Sequence, residues 1–335
     1  MKKIWLSILM SALVACSDES AFVGLESEND MPVGRLSVNV IREDTESKSL
    51  TECHEVLDTE KAEHKVEVFV FDKTSGALGA TKTLNSVSED CTFSLPVGPK
   101  VIYVVVNGPD LSSVTTLDGM RQIAEDFYGR TIDRDGFVML GYEECDLSAE
   151  CAAEPVVVVK RLVSRIVLQR ITSNIPAQYG KLKVDCVFLG NANTRMTLGG
   201  EVSEMMNLSG CDKITSKPIG KDGNLGSYEG YLFRASGVEI PVGMSDYLKY
   251  YLYCHPNSST KYTCLYLLTT IGDKQYYYRV PFYNGLKSNA TYSVDVEIVN
   301  LGAQLPPDGD IQKGEIVADI KIDGWDQGDN YSVMF

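Results

Sequence analysis

The feature that most constrains the fold of this chain is a two-residue hydrophobic period that keeps returning along it. Leu36, Val38 and Val40 alternate with Ser37 and Asn39, and Val66, Val68 and Val70 alternate with Glu67, Phe69 and Phe71. Successive side chains of an extended strand point to opposite faces, so this period predicts strands. Val101–Val106 is an unbroken apolar run, as expected of a strand covered on both faces. Val156–Arg170, Val184–Leu189, Tyr247–Cys254, Cys264–Thr270, Tyr276–Phe282 and Tyr292–Val299 continue the habit, punctuated by turn residues such as Asn107-Gly108-Pro109, Gly272-Asp273 and Asn284-Gly285. One segment departs from it. Leu117, Met120, Ile123, Ala124 and Phe127 recur at spacings of three and four, which predicts an amphipathic helix over Thr116–Arg130. The fold class is therefore all-β, with one short helix in the N-terminal half. A chain of 335 residues has room for two cores, and the strand series restarts after Arg170. Two tandem β-sandwich domains are predicted, over 35–168 and 169–305.

The N-terminus reads as an address. Lys2 and Lys3 precede an apolar stretch from Ile4 to Val14, too short to span a bilayer, and residues 1–15 fit a secretory signal peptide. Leu13-Val14-Ala15-Cys16 looks like a bacterial lipobox, in which the cysteine receives the lipid. Several acyl chains on Cys16 would hold the protein on the outer membrane. The polar stretch over 16–34 is a tether, and its Ser17-Asp18-Glu19-Ser20 resembles a surface-export signal. Eight further cysteines remain: Cys53, Cys91, Cys145, Cys151, Cys186, Cys211, Cys254 and Cys264. An even number in an exported chain permits disulfides, with Cys145/Cys151 and Cys254/Cys264 near in sequence, and buried free thiols are the equal alternative.

Composition and motifs exclude more than they identify. A net charge of −15 argues against nucleic acid, which needs clustered positive charge. Three histidines and no CxxC spacing leave no metal site to assign. No nucleophile elbow, HExxH, P-loop or GxGxxG is present, so no catalytic residue and no cofactor is predicted. Asp133-Arg134-Asp135-Gly136 resembles the start of a calcium loop with its glycine misplaced, and Asp323, Asp326 and Asp329 form a second acidic group; polar turns account for both. The tyrosine-rich stretches, Tyr247-Tyr250-Tyr251-Tyr253 and Tyr276–Tyr278, suit either half-wet strands or a sugar-stacking platform.

The two ends of the chain read as related strands. Pro306-Pro307-Asp308-Gly309 opens a linker and C-terminal segment over 306–335. Within it Ile316, Ala318, Ile320 and Ile322 fall on one face; Trp325 follows, and Tyr331, Val333 and Phe335 alternate to the end. Leu36, Val38 and Val40 form a matching stripe near the start. After them runs a charged stretch, Arg42 to Ser49, expected to be exposed and open to proteases, with Arg42 and Lys48 as candidate cleavage residues. Loss of the first strand would leave a groove that the C-terminal segment of a second copy fits, a heterologous head-to-tail contact.

At this point the chain resembles the fimbrillin (major fimbrial subunit) family of Bacteroidetes, the type V pilins. The resemblance is carried by Val105-Val106-Asn107-Gly108-Pro109, by Asp135–Gly141, by Lys160-Arg161-Leu162-Val163-Ser164-Arg165-Ile166, by Leu286–Val294 and by Ile322-Asp323-Gly324-Trp325. It implies transthyretin-like β-sandwiches. It also implies export as a lipoprotein precursor, proteolytic removal of anchor and first strand, and polymerisation into a fimbrium with the C-terminal segment as donor strand. The implied partners are identical or related pilin subunits, a maturation protease, the outer membrane before cleavage, and an adhesive ligand on a host or bacterial surface. The retained C-terminal strand suits a stalk subunit. The competing reading is a surface-anchored lipoprotein, an accessory fimbrial subunit or a glycan binder using Tyr251 and Tyr277, that is not polymerised.

Overall fold

A computed structural model describes residues 32–43, 57–127, 130–206, 231–247, 249–304 and 316–324. Cys16, Lys48, Cys53, Cys211, Trp325, Asp326, Asp329, Tyr331, Val333 and Phe335 lie outside the described residues.

The first half carries β1 (Val33–Arg42), β2 (Val66–Asp72), β3 (Leu78–Leu84), β4 (Cys91–Pro96), β5 (Gly98–Val106), α1 (Leu117–Gln122), β6 (Ala124–Asp126), α2 (Ile132–Asp135), β7 (Met139–Leu147) and β8 (Val156–Arg161). The second half carries β9 (Ser164–Ser173), β10 (Leu182–Gly190), β11 (Ala192–Thr197), β12 (Val202–Met206), β13 (Phe233–Ile240), β14 (Met244–Asp246), β15 (Tyr250–Cys254), β16 (Cys264–Ile271), β17 (Lys274–Pro281), β18 (Ala290–Ile298) and β19 (Ile316–Gly324). The fold is all-β, with two short α-helices among the described residues.

Seven strands of the first half follow one another in the order β3-β2-β5-β7-β8-β1-β4. The alternation in β2 and β5 feeds two layers. Val66, Val68, Val70, Ile102, Val104 and Val106 pack on Leu36 and Val38 of β1, whereas Phe69, Phe71, Val101, Tyr103 and Val105 pack under Leu111, Val114, Leu117 and Met120. The continuous apolar run is thus buried on both sides. In the second half β13-β10-β16-β17 faces β14-β9-β18-β19, with β15 also paired to β9. The largest core lies between them, around Ile166, Leu168, Val187, Leu267 and Val294, and takes in Ala318 and Ile320 of β19. β9, which the sequence reading divides at residue 168, stays whole and lies in the second half's sheet.

The helix expected over Thr116–Arg130 is shorter. Thr116 Oγ1 caps it by accepting from Gly119 N–H, and it ends at Gln122. The chain then turns extended at Ile123, and Ala124–Asp126 pairs antiparallel with β11 of the second half. Long-range strand pairing overrides the helical period there. The Asp133–Gly136 segment is a helical turn whose Asp135 pairs with Arg134 and accepts from Thr131 N–H, so its carboxylate serves the turn itself. Among the described residues no three His, Cys, Asp or Glu side chains gather to hold a metal. No described helix is long and apolar enough to cross a membrane.

No disulfide joins the described cysteines, Cys91, Cys145, Cys151, Cys186, Cys254 and Cys264, so neither Cys145/Cys151 nor Cys254/Cys264 is bridged. Cys254 and Cys264 are buried, and burial pushes Cys254 up to about 12.

Candidate functional site: the first and last strands

β1 opens the described chain yet lies in the interior of the strand order. Its first part pairs antiparallel with β4, from Val33↔Pro96 to Val38↔Cys91. Its last part pairs parallel with β8, from Asn39↔Val156 to Arg42↔Val159. Between these, Ser37 N–H donates to Ala153 C=O at 2.8 Å and Asn39 N–H to Pro155 C=O at 3.0 Å. Leu36 and Val38 are 0% and 2% exposed, and Val40 packs more loosely on the same core. The two fully buried side chains contribute about 1.5–3 kcal/mol each. A Cβ added at Gly34 would fall 2.3 Å from the Ser148 carbonyl oxygen, so only glycine lets β1 approach the end of β7 this closely.

The candidate cleavage residue Arg42 does not lie in an exposed loop. It is the last residue of β1, and its guanidinium donates to Glu63 Oε1 and to the Lys61 carbonyl, each at 2.9 Å. The next residue is also fastened. Glu43 N–H donates to Val159 C=O at 3.1 Å, and the Glu43 carboxylate meets Lys160 Nζ at 2.8 Å and Asn289 Nδ2 at 3.1 Å. The strand continues far enough to satisfy these groups, so both residues are fastened to the fold.

The chain re-enters through a 3-10 turn, Asp58–Glu60, on the junction of the two halves. Glu60 is fully buried. Its carboxylate accepts from Arg165 Nη1 at 2.7 Å, Tyr253 Oη at 2.6 Å and Leu57 N–H at 3.0 Å. Its carbonyl accepts from Arg161 Nε and Nη2 at 3.1 and 2.9 Å. Burial, together with the Glu60 carboxylate, pushes the Tyr253 hydroxyl well above its ordinary value. The segments Lys160–Ile166 and Leu286–Val294, quoted from the sequence only as resemblances, meet here. Asn289 N–H donates to Val163 C=O, Ser288 Oγ to Leu162 C=O, Ser164 Oγ to Lys287 C=O, and Arg165 Nε to Thr291 Oγ1. Asn289 holds a positive φ of 56° that lets it do this in a tight turn.

At the other end, β19 pairs antiparallel with β18 over its whole length, from Ile298↔Ile316 to Ala290↔Gly324. It is the last strand of its sheet's order, with β18 as its neighbour. Ala318 and Ile320 are buried, Ile322 packs against the same core, and Val317 on the opposite face is 39% exposed. Of the expected donor residues, Ala318, Ile320 and Ile322 therefore pack on this chain's own second half, and Ile316 is paired with Ile298 in the ladder. The tyrosine stretches do not form an open platform. Tyr250, Tyr253, Tyr276, Tyr277 and Tyr278 are buried and Tyr251 is half-buried, leaving Tyr247 as the exposed member.

No family model matches the sequence, and no curated protein matches it. Solved structures do. A candidate cell adhesion protein from Parabacteroides distasonis superposes with a TM-score of 0.61 at 15% identity, over 89% of this chain and 99% of that one. A fimbrilin from Porphyromonas gingivalis gives a TM-score of 0.61 at 14% identity, over 87% and 98%. The tip fimbrial protein Mfa3 from the same organism, with a C-terminal truncation, gives 0.50 at 15%, over 88% and 100%. The chain has the fold of the fimbrilins and candidate cell adhesion proteins of the Bacteroidetes.

Proposed function

We propose that this chain is a structural subunit of a cell-surface fimbrium. In this reading it is exported as a precursor lipidated at Cys16 and held at the outer membrane. A protease then removes the anchor together with β1, and the C-terminal segment of another copy fills the vacated slot. The observation that carries the reading is the position of β1. The first described strand is wedged between β4 and β8 with Leu36 and Val38 in the core, so its removal opens a groove with an apolar floor and two unpaired strand edges. β19 is a suitable occupant because it is nine residues long, lies at the end of its own sheet and carries Ala318, Ile320 and Ile322 at the spacing of Leu36, Val38 and Val40. The ties on Arg42 and Glu43 favour a cut beyond Glu43, where Lys48 is the basic residue, over a cut at Arg42. A fimbrilin, a tip fimbrial protein and a candidate cell adhesion protein share the fold, which supports a fimbrial role.

The test compares residues 43–335 with residues 17–335. The short form should give multimers resistant to SDS and the long form should stay monomeric. Monomeric behaviour of both, unchanged by deletion of 311–335, would refute the reading. A second reading, an anchored accessory subunit that is not polymerised, is favoured by the seating of β19 on its own domain; it predicts a mature protein that still begins at Cys16.

A further inference from the structure

The described residues on either side of 44–56 are fastened to one place, the junction formed by Lys160–Arg165 and Asn289–Thr291, but the two fastenings differ in kind. Upstream, Glu43 reaches Lys160 and Asn289 with side chains of Lys160 and Glu43 that are 53% and 27% exposed, so water and salt weaken that hold. Downstream, Glu60 is enclosed: Arg165 and Glu60 side chains are 1% and 0% exposed, and every hydrogen bond to the Glu60 carboxylate and carbonyl comes from a buried or half-buried donor. Removing Glu60 from this site would take an acceptor from each of two buried guanidiniums, Arg161 and Arg165. The donors come from both halves of the molecule. Arg161 ends β8, while Arg165 and Tyr253 belong to β9 and β15.

From this asymmetry we propose that Glu60 is a positioning residue for strand removal: a fixed post that holds the segment downstream of the cut while β1 leaves. The inference rests on the reading that the loop is cut. Once β1 and β2 are no longer covalently joined, the 57–63 segment stays on the domain junction. It neither peels away with β1 nor falls back into the vacated slot, whose mouth it borders through the contacts of Arg42 with Lys61 and Glu63. Glu60 thereby keeps the slot open for a new occupant.

The experiment uses the full chain with a site-specific protease sequence replacing residues 46–52, and hydrogen exchange read by mass spectrometry before and after cutting. In the otherwise native chain, protection of 57–63 should change less than about threefold on cutting, whereas protection of 33–42 should fall by more than about tenfold. In Glu60→Gln the 57–63 segment should lose at least about tenfold on cutting. Should Glu60→Gln fail to fold, Tyr253→Phe removes a single donor and should give about a three- to tenfold loss. The proposal is overturned if 57–63 of the native chain loses protection along with 33–42. It is equally overturned if the folded variants match the native chain after cutting. Polymerisation is not read in this assay, so failure of the post and failure of strand exchange are separate results.

Discussion

Val38 of β1 sits directly opposite Cys91 of β4 in the antiparallel ladder, and the Cys91 thiol is 1% exposed in the core that β1 closes. Burial raises the Cys91 thiol above its ordinary value, which makes it unreactive while β1 is in place. Alkylation followed by peptide mass spectrometry should leave Cys91 unmodified in the intact chain, modify it once the loop is cut and β1 is lost, and leave it unmodified again in multimers. Cys151, which is exposed, should react in all three and serves as the internal control.

Leu36→Ala should destabilise the intact chain by about 2–5 kcal/mol, because a fully buried leucine leaves a cavity in a packed core. Urea unfolding of residues 17–335 measures it. A Leu36→Ala chain should also lose β1 more readily when cut, read as faster release of the N-terminal fragment.

On β19, Ile320→Ala should cost about 2–4 kcal/mol and Val317→Thr less than about 0.5 kcal/mol, since Ile320 is buried and Val317 lies on the exposed face. In multimers of 43–335 the same ranking should hold for resistance to SDS if β19 presents the same face to the slot.

Asp72 gives an acid-side signature. The Ser75 backbone N–H, followed by Lys100 and the Ser75 hydroxyl, holds its carboxyl near 2, below its ordinary 3.8. A lowered native value means that the unfolded chain binds the proton more tightly, so the stabilisation is complete above about pH 4 and is lost as pH falls towards 2. Asp72 is partly exposed, so the effect is discounted to about 1 kcal/mol. Asp72→Asn should therefore be less stable by about that amount at pH 7 and indistinguishable at pH 2, by thermal unfolding across the range.

Arg165→Met should cost about 3–5 kcal/mol by leaving Glu60 buried without its charge partner, whereas Arg165→Met combined with Glu60→Leu should recover part of that loss. A double variant as unstable as the single one would show that hydrogen bonding to Tyr253 and Leu57 outweighs the ion pair.

The parts of this molecule that were legible in the sequence are those whose environment is written locally. β1, β2, β5, β10, β16, β17, β18 and β19 show their buried faces as alternation or as continuous apolar runs. β3 and β4 escaped because they end the strand order and bury little, so LGATKTL and CTFSLP carry weak periodicity. α1 was over-read because Ala124–Asp126 has a helical spacing but finds its partner in β11, about seventy residues on, and no local pattern reports that pairing. Glu60 was missed for a similar reason. In the run DTEKAEH it looks like one more solvated acid, and only the arrival of Arg161, Arg165 and Tyr253 from far along the chain makes it a core residue. Lys160–Ile166, which supplies Arg161 and Arg165, and Leu286–Val294, which packs on it, stand out in the sequence as resemblances, and no local pattern shows that the two touch each other.

The pairing of β6 with β11 has a mechanical corollary. The halves are joined in sequence by Leu162 and Val163, but Ala124–Asp126 also crosses from the first half to lie along the second, and Phe127 of the same excursion stacks on Tyr231 and His255. Traction applied across the molecule would be shared between a covalent link and a lateral ladder, so pulling the halves apart would have to break that ladder as well as straighten the link.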